Sequence, residues 1–178
     1  MRAATHEVNN ALNAVAMNLE VAQLRAVPGA DAGRIAPFAA AAAESHEEVI
    51  AMVRALMALA RGPLDAACDV RDIAAQVVAL LAPGVRAKGG SLVLGDGGPA
   101  RTRAPAAAVR LATASLLSEA ALVPAREWRC TVAAEPEPSL TLAPAEPRTP
   151  DHHATEQALA RAGVRPGPVA HSFVFPSP

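Results

Sequence analysis

The chain has 178 residues, 52% of them apolar, and sixteen basic against seventeen acidic residues leave a formal net charge of −1. This length suits one or two small domains, and the apolar fraction is sufficient for a hydrophobic core. No basic cluster with interleaved aromatic residues is present, which argues against nucleic acid as a partner. Much of the apolar content is alanine, which adds little core volume, so we expect modest stability unless subunits pair.

The cysteines and the N-terminal residues indicate the compartment. Cys68 and Cys130 are far apart in sequence and form no CxxC pattern, so neither a zinc site nor a disulfide framework is expected. No basic segment followed by an apolar one begins at Met1, and charged residues interrupt every apolar stretch before the ~18 residues that a membrane span needs. We therefore expect a soluble, cytoplasmic protein with no membrane partner.

Two long helices are predicted in the first third of the chain. The first runs from about Ala3 to Val27 and stops at Pro28-Gly29, whereas the second runs from Asp31 or Arg34 to Arg61 and stops at Gly62-Pro63. Asp31 can cap the second helix. A short loop between two such helices predicts an antiparallel hairpin.

Both helices carry an apolar stripe with alternating steps of four and three residues, which is typical of helices that bury one side against other helices. A single hairpin cannot bury both of its sides, so we expect two copies to pair into a four-helix bundle. Residues 1–62 are therefore predicted to form a dimerisation module, and residues 63–178 a second domain. The predicted stripes are Val8, Leu12, Val15, Leu19, Ala22 and Ala26 on the first helix, and Ile35, Ala39, Ala42, His46, Val49, Val53, Leu56 and Ala60 on the second.

The segment from Thr5 to Val15, which reads THEVNNALNAV, places chemically active groups outside the stripe of the first helix. His6, Asn10 and Asn13 follow one another at steps of four and three, so they can share the side that faces away from the core. We call residues 5–15 the His6 segment. An imidazole exposed to water on this side can act as a nucleophile.

The His6 segment resembles the phosphoacceptor box of bacterial sensor histidine kinases, in the variant that reads His-Glu-hydrophobic-Asn-Asn, then a small residue or proline, then Leu-x-Ala. The resemblance implies that His6 is the phosphoacceptor, that Glu7 polarises its imidazole, and that Asn10 orients a water molecule or an incoming phosphoryl group. Ala11 stands where many members have proline, which removes only a possible kink.

From Asp65 onward prolines and glycines become frequent, and shorter elements are predicted. Their order predicts an α+β layer of helices on a mainly antiparallel sheet. It also resembles the ATP-binding domain that follows the histidine hairpin in sensor kinases and is shared with gyrase-type ATPases. The predicted elements are a helix over Asp69–Leu81, a strand over Ser91–Leu94, a helix over Ala106–Leu122, strands over Arg129–Ala134 and Ser139–Ala143, a helix over Thr155–Ala162 and a strand over His171–Phe175.

The nucleotide-binding motifs of that family are missing from this domain. Glu119 stands where the family has its magnesium-binding asparagine, and residues 143–147 read APAEP where the family has Asp-x-Gly-x-Gly. Prolines also remove backbone N–H groups that a phosphate cradle requires. The glycine-rich run over residues 95–98 precedes no GK[ST] and is interpreted as a strand-ending turn. We therefore expect a degenerate domain that binds no nucleotide cofactor.

Three other groups of residues have simpler interpretations. His46 falls on the predicted stripe and is interpreted as a core-edge histidine, with a second phosphorylation site as the alternative. His152-His153, together with His171 and Asp151, could suggest a metal site, but the two adjacent histidines lie on a loop and do not face one centre, so no metal site is expected. Glu119 and Glu127 are interpreted as solvated residues near the end of a helix.

Taken together, the resemblance implies a histidine phosphotransferase of a two-component phosphorelay, with response-regulator receiver domains as partners. The magnesium ion that such a transfer needs is expected on the receiver, so the chain would hold no metal or cofactor of its own. Two alternatives stay open: a sensor kinase core with diverged nucleotide motifs, and a non-catalytic protein that binds a receiver or a kinase.

Overall fold

The computed structural model describes residues 2–27, 31–61, 65–123, 126–144, 153–169 and 171–178. The α+β class predicted from the sequence is confirmed, because helices occur together with one sheet of two strands and one of five. The backbone divides into two compact units, residues 1–56 and 57–178, so the division falls within the second long helix.

The first unit is a helical hairpin. Helix α1 covers Arg2–Arg25, a short 3₁₀ turn covers Ala32–Arg34, and helix α2 covers Ala36–Arg61. Asp31 caps this turn and not, as predicted, α2 itself; its carboxylate accepts a hydrogen bond from the backbone N–H of Gly33 at 2.9 Å. The guanidinium of Arg25 lies 4.3 Å from the centre of the Phe38 ring, which joins the end of α1 to the beginning of α2. The predicted stop at Pro28-Gly29 lies outside the described residues.

The buried side of each helix differs from the predicted stripe at every second position. Where prediction and structure agree on a buried residue, the next buried residue lies three positions further along the helix, whereas the prediction placed it four positions further. The prediction was therefore wrong for the residues that lie four positions on. His46 is exposed, and so are Ala26, Ala39 and Ala60. Leu12, Leu19 and Val53 keep 46%, 47% and 42% of their surface exposed. The buried or half-buried positions include Val8, Ala11, Val15, Asn18 and Ala22 on α1, and Ile35, Phe38, Ala42, Ser45, Val49, Met52 and Leu56 on α2.

The displaced positions share one side of the hairpin. On a helix surface, the residues three and four positions after a given residue both lie next to it. The handedness of the packing between two helices decides which of these two residues faces the neighbouring helix. Because α1 and α2 run in opposite directions, the residues that lie four positions after each correctly predicted buried residue are on the same side of the hairpin in both helices. We call this side, made of Leu12, Leu19, Ala39, His46 and Val53, the lateral face.

The second unit combines three helices with two sheets. In the five-stranded sheet the order is β2-β4-β5-β7-β6, and only the β2·β4 pair is parallel, so the sheet is mainly antiparallel as predicted. A second, two-stranded sheet pairs β1 with β3. The helices are α3 (Val70–Ala87), α4 (Ala106–Leu122) and α5 (His153–Arg161), and the strands are β1 (Cys68–Asp69), β2 (Ser91–Leu94), β3 (Arg101–Thr102), β4 (Glu127–Ala133), β5 (Ser139–Ala143), β6 (Arg165–Pro166) and β7 (Ser172–Val174).

The core of this unit lies between the sheet and helices α3 and α4. Side chains along β4 alternate, with Trp128, Cys130 and Val132 buried and the residues between them exposed, so one face of this strand is covered and the other is open to solvent. Phe175, which is fully buried, follows β7 and joins the same core. The core residues include Val70, Ile73, Ala74, Val77, Val85, Leu92, Val109, Ala112, Leu116, Leu117, Leu140, Leu142, Leu159, Val164 and Phe173.

Helix α3 is longer than the prediction, which ended it at Leu81. Its beginning is capped by Asp69, whose carboxylate accepts hydrogen bonds from the backbone N–H groups of Arg71 at 2.8 Å and Ala100 at 3.0 Å. The helix contains Pro83 and continues to Ala87. Val85, 1% exposed, belongs to the hydrophobic core, and this burial favours continuing the helix past the proline.

Candidate functional site

The His6 segment lies entirely within α1. His6 and Glu7 fall in the first two turns of the helix, and their side chains lie outside the description of the structure. Asn10 follows His6 by four residues, so the α-helical backbone brings these two positions to neighbouring places on one side of the helix. Local sequence alone produces this arrangement, because it requires only an unbroken helix.

The asparagines of α1 divide into two groups. Asn9, Asn10 and Asn13 are exposed to solvent. Asn18 is half-buried, and its side-chain amide donates a hydrogen bond to the backbone carbonyl of Ala14 at 3.0 Å. A carboxamide offers both donors and an acceptor, so the exposed groups can hold a phosphoryl oxygen or a water molecule that approaches from solvent.

Further along, the side of α1 that carries the exposed asparagines also exposes two large apolar side chains, with Glu20 between them. Met17 and Leu24 are 67% and 73% exposed. They continue the helical spacing of Asn10 and Asn13, so they lie on the side opposite the buried one. The sequence analysis missed these two residues. The signal was present in the spacing 10, 13, 17 and 24, which repeats the steps of one helical side.

The positions that correspond to nucleotide motifs lie in the second unit. Ser115 is half-buried in α4, and its backbone carbonyl accepts a hydrogen bond from the Ser118 hydroxyl at 2.9 Å. Glu119 follows in the same helix, but its side chain lies outside the description. Strand β5 ends at Ala143, and residues 145–152, which include most of the divergent loop and His152, are not described.

The glycine-rich run over residues 95–98 follows directly after the end of β2 at Leu94 and has a bend at Asp96. The backbone N–H of Gly95 donates to the carbonyl of Cys130 at 2.7 Å, and the Arg71 guanidinium donates to the carbonyl of Gly95 at 3.0 Å. A Cβ on Gly97 would lie 2.9 Å from the carbonyl oxygen of Val132, so the close backbone approach explains this glycine.

Both cysteines are free thiols. Burial raises the pKa of the Cys130 thiol to about 12. Burial also raises the pKa of Cys68, which is half-buried. Because the thiolate is the reactive form, neither side chain is activated as a nucleophile at neutral pH.

The other polar groups give no further reactive centre within the described residues. His171 is buried beside β7 with a φ of 57°, and Glu127 is exposed at the beginning of β4. In the part of the chain that the structure describes, no three His, Cys, Asp or Glu residues are grouped so that they could hold a metal ion. Nor is any described helix long and apolar enough to cross a membrane.

The cavities of the second unit include two with polar lining residues, and both are distant from the His6 segment in sequence. One, of about 470 Å³, is lined by Ser139, Thr141 and Ser172 and by the ion pair between Arg165 and Glu137. The other, of about 260 Å³, is lined by residues that include Cys68, Asp69, Asp72, Gln76 and Arg110. Neither contains the glycine-rich run over residues 95–98 or the Ser115–Glu119 stretch.

No protein-family model matches this sequence, and no curated protein matches it significantly. The residues of the His6 segment and the exposure of their neighbours therefore carry the functional proposal.

Proposed function

We propose that the chain is a histidine phosphotransferase of a two-component phosphorelay. His6 takes a phosphoryl group from the phosphorylated aspartate of one response-regulator receiver domain and passes it to the aspartate of another. The observation that carries the proposal is the His6 segment, in which the histidine, its acidic neighbour and Asn10 lie on one helix with Asn10 and Asn13 exposed. A docking role alone would not require this combination.

The transfer is a displacement at phosphorus. The lone pair of an imidazole nitrogen of His6 forms the new N–P bond while the bond between phosphorus and the aspartyl oxygen breaks, and the receiver's carboxylate leaves. The reverse step on a second receiver regenerates the neutral imidazole. Glu7 keeps the attacking nitrogen basic, and Asn10 positions the phosphoryl oxygens. A magnesium ion held by the receiver would neutralise the charge on the transferring group, and the proposal assigns no metal to this chain.

We assign residues 63–178 to a degenerate ATP-binding domain of the histidine kinase type. The support is the order of its elements together with the loss of the nucleotide motifs at Glu119 and over residues 143–147. In this proposal the domain has a structural role and the phosphoryl group arrives only from receivers. The cytoplasm, where receiver domains act, is the corresponding compartment.

The hairpin is proposed to form a homodimeric four-helix bundle through the lateral face. This face exposes Leu12, Leu19 and Val53 in the single chain. Helix α1 has 24 residues and is therefore about 36 Å long, and two adjacent helices are about 20 Å wide, which gives roughly 700 Å² per copy. The total of about 1,400 Å² lies within the usual range for a stable protein interface. A face made of two antiparallel helices can also meet its own copy about a two-fold axis.

The proposed activity is tested by incubating the chain with phosphorylated receiver domains from the same genome. We expect label on this chain that is labile in acid and stable in base, as phosphohistidine is, located within Arg2–Arg25. Replacing His46 by Ala is the matched control and should leave the label unchanged. If no receiver from that genome transfers label, or if the label is stable in acid, the proposal is wrong.

A further inference from the structure

A cleft lies on the solvent side of the five-stranded sheet, where β5, β7 and β6 are neighbours. The register opposes Thr141 to Ser172. It also opposes Val174 to Ser139 on one side and to Arg165 on the other. Opposed residues of antiparallel strands have their side chains on one face, and the alternate residues of β5 belong to the core, so these five side chains lie away from it. Together they line the cavity of about 470 Å³, which we call the sheet cavity.

The segment over residues 166–169 forms one wall of the sheet cavity. The backbone N–H of Gly167 donates to the carbonyl of Ser172 at 2.9 Å, and the Ser172 hydroxyl donates to the carbonyl of Val169. A Cβ on Gly167 would overlap the hydroxyl oxygen of Ser172, so this close approach requires glycine. Backbone contacts therefore fix the wall, and Ser172 and Val174 are buried although they lie on the solvent side of the sheet.

Two hydroxyl groups of β5 line the floor of the sheet cavity. Ser139 and Thr141 are half-buried and lie two positions apart on the strand, which separates them by about 7 Å. Within the described residues neither hydroxyl takes part in a hydrogen bond, so both remain available to a ligand.

An ion pair stands on the solvent-exposed side of the cavity. The guanidinium of Arg165, on β6, donates to the carboxylate of Glu137, in the connection between β4 and β5. The two side chains are 61% and 42% exposed, so water screens the pair and its contribution to stability is small. A ligand that offers each member a new partner can therefore open it. A simple anion would leave Glu137 unpaired, and a simple cation would leave Arg165 unpaired. A ligand with an ammonium and a carboxylate on neighbouring atoms satisfies both.

We infer that the sheet cavity binds a free α-amino acid with an aliphatic side chain. The ligand's carboxylate accepts hydrogen bonds from the Arg165 guanidinium, and its ammonium donates to the Glu137 carboxylate. The hydroxyls of Ser139 and Thr141 donate to carboxylate oxygens that the guanidinium leaves free. A volume of about 470 Å³ is in the usual range for small-molecule sites. The ligand's side chain contacts the apolar lining residues, which are Pro136, Pro166, Pro168, Val169 and Val174.

The test is calorimetric titration of the intact chain at pH 7 with L-valine, L-leucine and L-proline. We expect saturable binding of at least one of them, with a dissociation constant at or below about 1 mM. The amide and the N-acetyl derivative of the amino acid that binds each lack one of the two charges. Both should bind at least about tenfold more weakly.

Two variants and a matched control locate the ligand. Arg165→Gln and Glu137→Gln should each weaken binding by at least about tenfold, because each removes one of the charges that the ligand pairs with. Arg129→Gln removes an exposed arginine on the same side of the sheet but outside the sheet cavity, and it should bind like wild type. A thermal melt of each variant establishes that it is folded.

Three results would overturn the inference. The first is the absence of saturable binding of all three amino acids up to about 10 mM. The second is equal affinity for the amide or the N-acetyl derivative, which would mean that the ligand's two charges are not both recognised. The third is wild-type affinity in folded Arg165→Gln or Glu137→Gln. None of these residues belongs to the His6 segment, so the label assay with phosphorylated receivers fails or succeeds independently.

Discussion

The asparagines of α1 differ in whether their side-chain amides are hydrogen-bonded within the helix or exposed to solvent. The Asn18 amide bonds to the carbonyl of Ala14, one turn earlier in the same helix, whereas the Asn10 side chain is exposed. Asn10 is also one turn from His6, at the distance where a side chain can reach a group attached to the imidazole. This difference gives a test within one helix.

Asn10→Ala should slow phosphoryl transfer without abolishing it. A hydrogen bond to a charged oxygen contributes about 1.5–3 kcal/mol, so the rate should fall by about 10-fold to 100-fold. Asn18→Ala is the control and should transfer at the wild-type rate. Single-turnover transfer from a phosphorylated receiver measures both. Equal rates for wild type and Asn10→Ala would remove the positioning role from Asn10.

Cys130 and Cys68 should differ in reactivity. With the pKa of Cys130 near 12, only about one thiol in 10⁴ is ionised at pH 8, and the side chain is buried. We expect an aromatic disulfide reagent to modify Cys68 first in the native protein and Cys130 only after unfolding. Cys68→Ser should then show no native reaction. Rapid modification of that variant at pH 8 would mean that the core opens around β4.

At the scale of elements, the sequence predicts well those helices and strands that local residues determine. It predicts poorly the strands and helix sides that depend on a partner distant in the chain. The bounds of β2, α4 and β5 agree with prediction, because their hydrophobic patterns are bounded by glycine or proline. The two-residue strands β1, β3 and β6 were missed, since they depend on partners distant in the chain, such as Thr102 for Cys68. The stripe of the hairpin was half correct for a similar reason. The heptad spacing correctly predicts that Val8, Val15 and Ala22 face the neighbouring helix. Whether the next buried residue lies three or four positions further on depends on how α1 and α2 pack against each other.

Substitutions on two different sides of α1 can test whether the lateral face forms the homodimer. Leu19→Asp should weaken the homodimer by more than 100-fold, because each copy would have to cover a carboxylate without a partner. Met17→Asp places the same charge on the opposite side of α1 and should leave the dimer intact. Light scattering at micromolar concentration and pH 7.5 distinguishes the two. If both variants dimerise like wild type, the copies associate elsewhere or remain separate.

The whole molecule joins a hairpin that carries the proposed chemistry to a domain without nucleotide motifs. The sequence suffices to name the candidate site because His6, Glu7 and Asn10 lie on one uninterrupted helix. The same spacing would also have indicated the exposure of Met17 and Leu24, because both lie away from the apolar stripe of α1. For the second unit, the order of the predicted elements indicates the fold class, and the departures from the resembled motifs at Glu119 and over residues 143–147 lead us to expect no nucleotide binding.

We expect no ATP binding by the intact chain, with or without magnesium. Glu119 stands where the resembled family has asparagine, residues 143–147 contain no glycine, and their prolines lack the backbone N–H groups that a phosphate cradle requires. Calorimetric titration with a non-hydrolysable ATP analogue should give no dissociation constant tighter than about 100 μM, which corresponds to roughly 5.5 kcal/mol. Tighter binding would favour the alternative of a diverged kinase core.

The most direct test of the account is the acquisition of label by His6→Ala. Wild type should accept an acid-labile phosphoryl group from a phosphorylated receiver. His6→Ala should accept none, while its oligomeric state and its affinity for the receiver stay unchanged, because position 6 lies off the predicted apolar stripe of the helix. Acid-labile label on His6→Ala at the wild-type rate would contradict the central claim and would make His46 the first residue to examine as the acceptor.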